Sequence, residues 1–205
     1  MTRRSWNLKK LPTQLELLDV LPEVEGEKRP VRYWSQDESR LGLKTITRRL
    51  LTLPGVKPVG PLQWEFEAFY LYGAVEPLTG ESCFLEFSYL DSVCFQAFLN
   101  EFSKTYATSL NILQLDNGSP HLAKKLIIPE NIILLFQPSY SPDVNPIERV
   151  WQSVKDKLSW LTVTTLNELR REMDAVLNSL TAECIASLTG YDFILSALKK
   201  ARLAA

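Results

Sequence analysis

Two short apolar runs set the tightest limit on the fold. Ile132–Phe136, IILLF, is too short for a stable helix and is bounded by Asn131 and Pro138. Leu110–Asp116, LNILQLD, reads as a second buried strand that ends in a carboxylate. Runs of this kind suit central strands covered on both faces by helices. The rest of the chain offers that covering. Pro146–Trp160 carries Ile147, Val150, Trp151, Val154 and Leu158 at helical spacing. Thr165 with Glu168 is a capping box that opens a helix bearing Leu166, Leu169, Met173, Val176, Leu177 and Leu180. Shorter helices follow to about Leu203.

Ahead of the two runs lies a β-meander. Val31–Asp37 is a first strand, Leu43–Arg48 a short one, and Trp64–Val75 a long aromatic one. A loop through LPGVKPVGP separates the last two. After the EPLTGE turn, Ser82–Phe87 returns antiparallel. Asp91 caps a helix to about Phe102, and Pro120–Leu126 reads as a short helix. The expected fold is α/β, a mixed central sheet of about five strands with helices on both faces. Residues 1–30 read as a linker or tail, 31–160 as the main domain, and 161–205 as a helical extension packed on it.

Net charge is −1 over 205 residues, so nothing global demands nucleic acid. Locally, the stretch from Arg40 to Gly60 holds Arg40, Lys44, Arg48, Arg49 and Lys57 and no acid. Such a strip either binds phosphate or is a solvated face. Three cysteines without a CxxC pair argue against a disulfide framework and a zinc cluster. No apolar run reaches the roughly 18 residues that span a bilayer. A soluble, reduced, cytoplasmic protein is expected.

Three carboxylates occupy positions suited to chemistry. Asp37 and Asp116 each end a strand, and Glu148 opens a helix. Rigid positions of this kind can converge on one point. Each has a plainer reading. Asn145, Pro146 and Glu148 are a good N-cap, N1 and N3, so Glu148 can complete a capping box. Asp116 can be the turn aspartate of Asp-Asn-Gly. Glu38 rivals Asp37, and strand alternation sends only one of them toward a cleft. His121, the single histidine, orients a phosphate or a water, or is a hydrogen-bonded structural residue. Oxygen donors without a His/Cys cluster suit Mg²⁺ or Mn²⁺, and a pair of ions on shared carboxylates suits phosphodiester chemistry. No GxSxG, P-loop or GxGxxG is present.

Three motifs in this order resemble one family. QDESR (Gln36–Arg40), LDNGSPH (Leu115–His121) and SPDVNPIERVW (Ser141–Trp151) closely resemble the DDE transposases of the insertion sequence 630 type, within the Tc/mariner superfamily. The resemblance covers about residues 31–160. It implies an RNase H-like fold and metal-dependent DNA cleavage and strand transfer in insertion-sequence transposition. It places the catalytic, metal-binding triad on Asp37, Asp116 and Glu148, with Asp37 rather than Glu38 as the first acid and two ions in the site. Arg40, Lys44, Arg48, Arg49, His121 and Lys155 are then the candidate DNA contacts. Such transposases usually carry an N-terminal helix-turn-helix that reads transposon ends. About 30 residues precede the first strand, too few for that module. The expectation is a catalytic subunit working with a separate helix-turn-helix subunit, as a homo-oligomer on transposon ends and target DNA. The competing readings are a decayed remnant that only binds DNA or protein, and an RNase H-like nuclease or resolvase.

Overall fold

The strand that carries Asp37 lies at the centre of the sheet. β1 (Val31–Gly42) pairs antiparallel with β2 (Ala68–Val75), which pairs antiparallel with β3 (Ser82–Phe87). On its other side β1 runs parallel to β4 (Leu110–Leu115), and β4 parallel to β5 (Ile132–Phe136). The order is β3-β2-β1-β4-β5, the mixed five-stranded sheet expected. This computed structural model describes residues 29–49, 51–57, 59–137 and 144–200. Nearly all of the tail at 1–30, Pro138 and Pro142 of the proline-rich turn, and the chain beyond Lys200 lie outside the described residues.

Alternation divides β1 between two cores. Trp34 points to α1 (Ser92–Thr105) and packs with Phe98, Leu99, Phe102, Tyr72, Ala74 and Leu113. Trp34 and Phe102 meet edge to face at 5.1 Å. Leu41 points the other way, with Phe69, Leu71 and Val75 of β2. That face is covered by α2 (Ile147–Lys157), α3 (Leu166–Asn178) and α4 (Ala182–Thr189), through Val150, Trp151, Leu169, Met173 and Ile185. α5 (Asp192–Lys200) completes it, setting Ile194 and Leu198 on Tyr33, Ile112 and Leu135. Each such side chain, fully buried, is worth about 1.5–3 kcal/mol.

The helix starts follow local chemistry. Asp91 accepts from the Val93 and Cys94 amides, each at 2.8 Å, and so caps α1. Thr165 caps α3 by accepting from the Glu168 amide at 3.2 Å. Glu168 reaches one residue further back than a capping box does and accepts from the Thr164 amide at 2.7 Å.

Several boundaries and elements differ from expectation. β1 does not end at Asp37; it continues to Gly42, because Ser39 and Leu41 are buried opposite Leu71 and Phe69 of β2. The strand expected over Leu43–Arg48 is absent, and β2 begins at Ala68 rather than Trp64. Isolated bonds join these segments instead, from the Leu43 amide to the Glu67 carbonyl and from the Thr45 amide to the Gln63 carbonyl. Trp64 and Phe66 are exposed, so nothing packs there to extend a sheet. Pro120–Leu126 forms successive turns rather than a helix, with the His121 and Leu122 amides both donating to the Gly118 carbonyl. α2 has no side-chain cap: Asn145 turns away from the helix and donates to the Gln36 carbonyl at 3.0 Å. It also stops at Lys157, short of Trp160, whose φ of 61° is incompatible with a continuing helix.

Candidate active site

β1 and β4 part company where the acids stand. Their pairing stops at Ser35↔Gln114, and β4 ends at Leu115. Carried two residues further, that register would set Asp116 opposite Asp37, but Asp116 has by then left the ladder. β1 continues beside β2 alone, with Asp37 level with Gly73. The fork opens at the carboxyl end of β4, the usual place for a ligand crevice in a sheet with parallel strands.

Asp37 is held from the α2 side. Its Oδ2 accepts from the Trp151 indole N–H at 3.1 Å. The indole lies over Gly73, where a Cβ would stand 2.6 Å from the ring, so only glycine lets Trp151 reach across. Burial first, then the charges of Glu38, Glu148 and Asp116, push the Asp37 carboxyl up to about 8. Both other members of the expected triad therefore act on Asp37 as nearby negative charges.

Asp116 is the first residue past β4. Its Oδ1 accepts from the Gly118 amide and from His121 Nδ1, each at 2.7 Å. The His121 bond above all holds Asp116 below the usual carboxylate range. Its side chain is half-exposed. The turn-aspartate reading is thus literally present, and it leaves the second oxygen without a partner among the described residues.

Glu148 sits exposed in the first turn of α2. The segment before it is tied to the sheet by buried amides. Asn145 binds the Gln36 carbonyl of β1, and Gln114 of β4 donates to the Val144 carbonyl at 3.1 Å and to Gln137 Oε1 at 3.2 Å. The Tyr33 hydroxyl donates in turn to Gln114 Oε1. These tethers escaped the sequence reading. The available signal was an amide inside an apolar strand, which burial obliges to find partners.

Glu38 faces the opposite side of β1. It accepts from Gln36 Nε2 at 2.8 Å and meets His121 Nε2 at 3.0 Å. His121 is buried, with its ring 4.5 Å from that of Phe95. So His121 meets carboxylates, not solvent, which differs from its expected role as a DNA contact: both ring nitrogens are already engaged. Burial draws its pKa down, but Asp116 and Glu38 outweigh that and push it up to about 10.

The basic candidates divide into two groups. Arg48 and Lys155 line a hollow of about 540 Å³ with Glu148, Arg149, Gln152 and Tyr191. Arg48 is also ion-paired with Asp156. Arg40 instead donates to the Phe66 carbonyl at 2.8 Å, and Lys44 lies 4.4 Å over the Trp64 ring. Arg49 is exposed. Arg149, beside Glu148, was missed because its motif was read for helical pattern and acid alone. Among the described residues, no three His, Cys, Asp or Glu side chains stand close enough to share a metal ion as placed. No helix among them is long and apolar enough to cross a membrane.

The profile of the DDE superfamily endonucleases matches residues 32–170. The chain belongs to that family. This DDE endonuclease domain is 37% identical over 94 residues to the uncharacterized protein y4pE/y4sA of Sinorhizobium fredii, covering 45% of the chain and 68% of that protein. It is 32% identical over 98 residues to the insertion element IS630 uncharacterized 39 kDa protein of Shigella sonnei, covering 45% of the chain and 29% of that protein. The family read from the three motifs is therefore the right one. In fold, the DDE domain matches the Mos1 strand transfer complex over its whole length, with a TM-score of 0.62 at 14% identity. It matches the Mos1 mariner paired-end complex with Mn at 0.61 and 13%, over 98% of the chain. The domain spans 64% and 63% of those Mos1 chains. The mixed sheet with helices on both faces is the RNase H-like fold expected.

Proposed function

We propose that this DDE domain is the catalytic part of a transposase that cuts DNA at transposon ends and joins the cut end to target DNA. Asp37, Asp116 and Glu148 are its catalytic, metal-binding residues. The observation that carries this is the fork: Asp37 and Asp116 stand where β1 and β4 part, and Asp116 and Glu148, which opens α2, both act on Asp37 as nearby negative charges. The donor set fits a hard divalent cation, since all ligands are carboxylate oxygens. Asp37, whose ionised form is opposed by burial and like charge, is the group a cation would relieve most. Glu148, on the first turn of α2, would complete the set.

Asp37, Asp116 and Glu148 would hold a pair of Mg²⁺ or Mn²⁺ ions, which would supply activation of the attacking oxygen and neutralisation of the leaving one. The protein supplies position. Trp151 fixes Asp37 through Oδ2, and the amide tethers of Gln114 and Asn145 fix the start of α2. Arg48, Arg149 and Lys155 place cationic groups beside Glu148, where a DNA backbone approaching the fork meets them. Mos1 complexes with a left transposon end, with Mn and with Mg support DNA and divalent metal as partners. End recognition is assigned to a separate helix-turn-helix subunit, and joining to a homo-oligomer assembled on DNA in the prokaryotic cytoplasm.

The test is a cleavage and joining assay with Mg²⁺, end-containing DNA and that partner. Cut ends covalently joined to target DNA are expected. Cutting without joining would make the protein a nuclease or resolvase, and binding without cutting a remnant.

A further inference from the structure

Glu38 and His121 are buried polar groups that the triad does not use. Glu38 is 7% exposed and His121 2%. The imidazole bridges two carboxylates, Asp116 Oδ1 at 2.7 Å through Nδ1 and Glu38 Oε1 at 3.0 Å through Nε2. A carboxylate accepts only, so each nitrogen presents an N–H and the ring has one orientation. Phe95 packs on the ring, and Gln36 holds the far carboxylate.

We propose that Glu38 and His121 form a clamp that positions Asp116 at the cation site, presenting its free oxygen Oδ2 toward Asp37. This rests on the reading of Asp116 as a metal ligand. Past Leu115, Asp116 has left the β-ladder, so nothing in the sheet sets its place relative to Asp37. The clamp restores that link. Glu38 neighbours Asp37 on β1, so the Glu38–His121–Asp116 chain ties the loop after β4 to the strand that carries the first acid. Gly118 closes the arrangement: its amide occupies Oδ1 as well, and a Cβ there would come within 2.9 Å of that oxygen. With two donors on Oδ1, Oδ2 is the atom left for a cation. His121 is therefore a positioning residue, and Glu38 its anchor.

The experiment measures Mn²⁺ affinity of the full chain by calorimetry and paramagnetic resonance, alongside the metal-free thermal midpoint. Glu38→Ala and His121→Phe are expected to bind Mn²⁺ about 10–100-fold more weakly while folded, the usual effect of losing a partner behind a metal ligand. Glu38→Gln keeps an acceptor for Nε2–H and is expected to bind close to the parental affinity. A merely structural pair would lower the thermal midpoint and leave the affinity of the folded protein unchanged. Parental Mn²⁺ affinity in folded Glu38→Ala overturns the clamp; that variant decides if His121→Phe does not fold. Failure of the parent to bind Mn²⁺, or unchanged binding in Asp116→Asn, instead overturns the metal reading beneath it.

Discussion

Replacing Asp37 by asparagine should stabilise the metal-free protein while destroying its chemistry. The carboxyl is pushed from 3.8 up to about 8 by burial and by the charges of Glu38, Glu148 and Asp116. The folded state therefore holds a proton that the unfolded chain releases near pH 4. Stability from this group is fully present below pH 3.8 and is lost as pH rises through about 8. Each unit is worth about 1.4 kcal/mol, so near neutral pH the ceiling is ~4 kcal/mol. Relaxation and water around the fork reduce this to about 1–3 kcal/mol, or a rise of roughly 3–8 °C in midpoint for a chain of this size. Asparagine keeps an oxygen for the Trp151 N–H, so the packing of α2 survives. The assay is thermal unfolding in chelator across pH 4–9. The gap between variant and parent should be near zero at pH 4, grow toward pH 8 and then level off. Added Mg²⁺ should narrow it by stabilising the parent alone. An Asp37→Asn protein that melts at or below the parental temperature at pH 8 would refute the claim that Asp37 is crowded by like charge.

Three further expectations follow from neighbouring contacts. Glu148→Gln, at an exposed position of a helix with no side-chain cap, should leave metal-free stability within about 1 kcal/mol and abolish Mg²⁺-dependent cleavage; cleavage at the parental rate would remove Glu148 from the triad. Gly73→Ala drives a methyl to 2.6 Å from the Trp151 ring and 2.9 Å from Phe84, and should cost about 1–3 kcal/mol and shift tryptophan fluorescence. Arg149→Ala should weaken sequence-tolerant DNA binding and reduce its salt slope by about 1, read by anisotropy across a salt series; an unchanged slope would place the DNA path elsewhere.

The sheet was legible because β4 and β5 are short and apolar, and because β2 and β3 are separated by a recognisable turn. Strand ends were less so. Glu38, Ser39 and Arg40 look like turn residues after Asp37, yet Ser39 and Leu41 are buried by pairing with β2. Only a tertiary partner decides that. The same holds for Asn145, which has the identity of an N-cap but finds the Gln36 carbonyl a better partner than its own helix. Pro120–Leu126 carries Leu122 and Leu126 at helical spacing, but only Leu126 packs on the core while Leu122 is exposed, and the backbone settles into turns around the Gly118 carbonyl. Which of Asp37 and Glu38 faces α2 was readable in principle from alternation with Trp34 and Leu41. The family motifs supplied the acids; they did not supply the amides that hold them.

Those amides show where the chain departs from a fully satisfied interior. Gln36 Oε1, Ser39 Oγ and Asn145 Oδ1 are buried without a hydrogen-bond partner among the described residues. All three lie on β1 or at the entry to α2, the seam that carries Asp37 and Glu148. Each such group costs about 1–3 kcal/mol, and the crowded Asp37 carboxyl adds to the same seam. Asn111, inside β4, is by contrast fully bonded, to Trp34, Ser109, Tyr106 and Asn131, although Gln63 Oε1 and Trp160 Nε1, away from the seam, are likewise without a partner among the described residues. A scaffold built only for stability would treat both seams alike. The unpartnered atoms of Gln36, Ser39 and Asn145 cluster around the fork where the strands part, the pattern expected when local satisfaction is given up for chemistry.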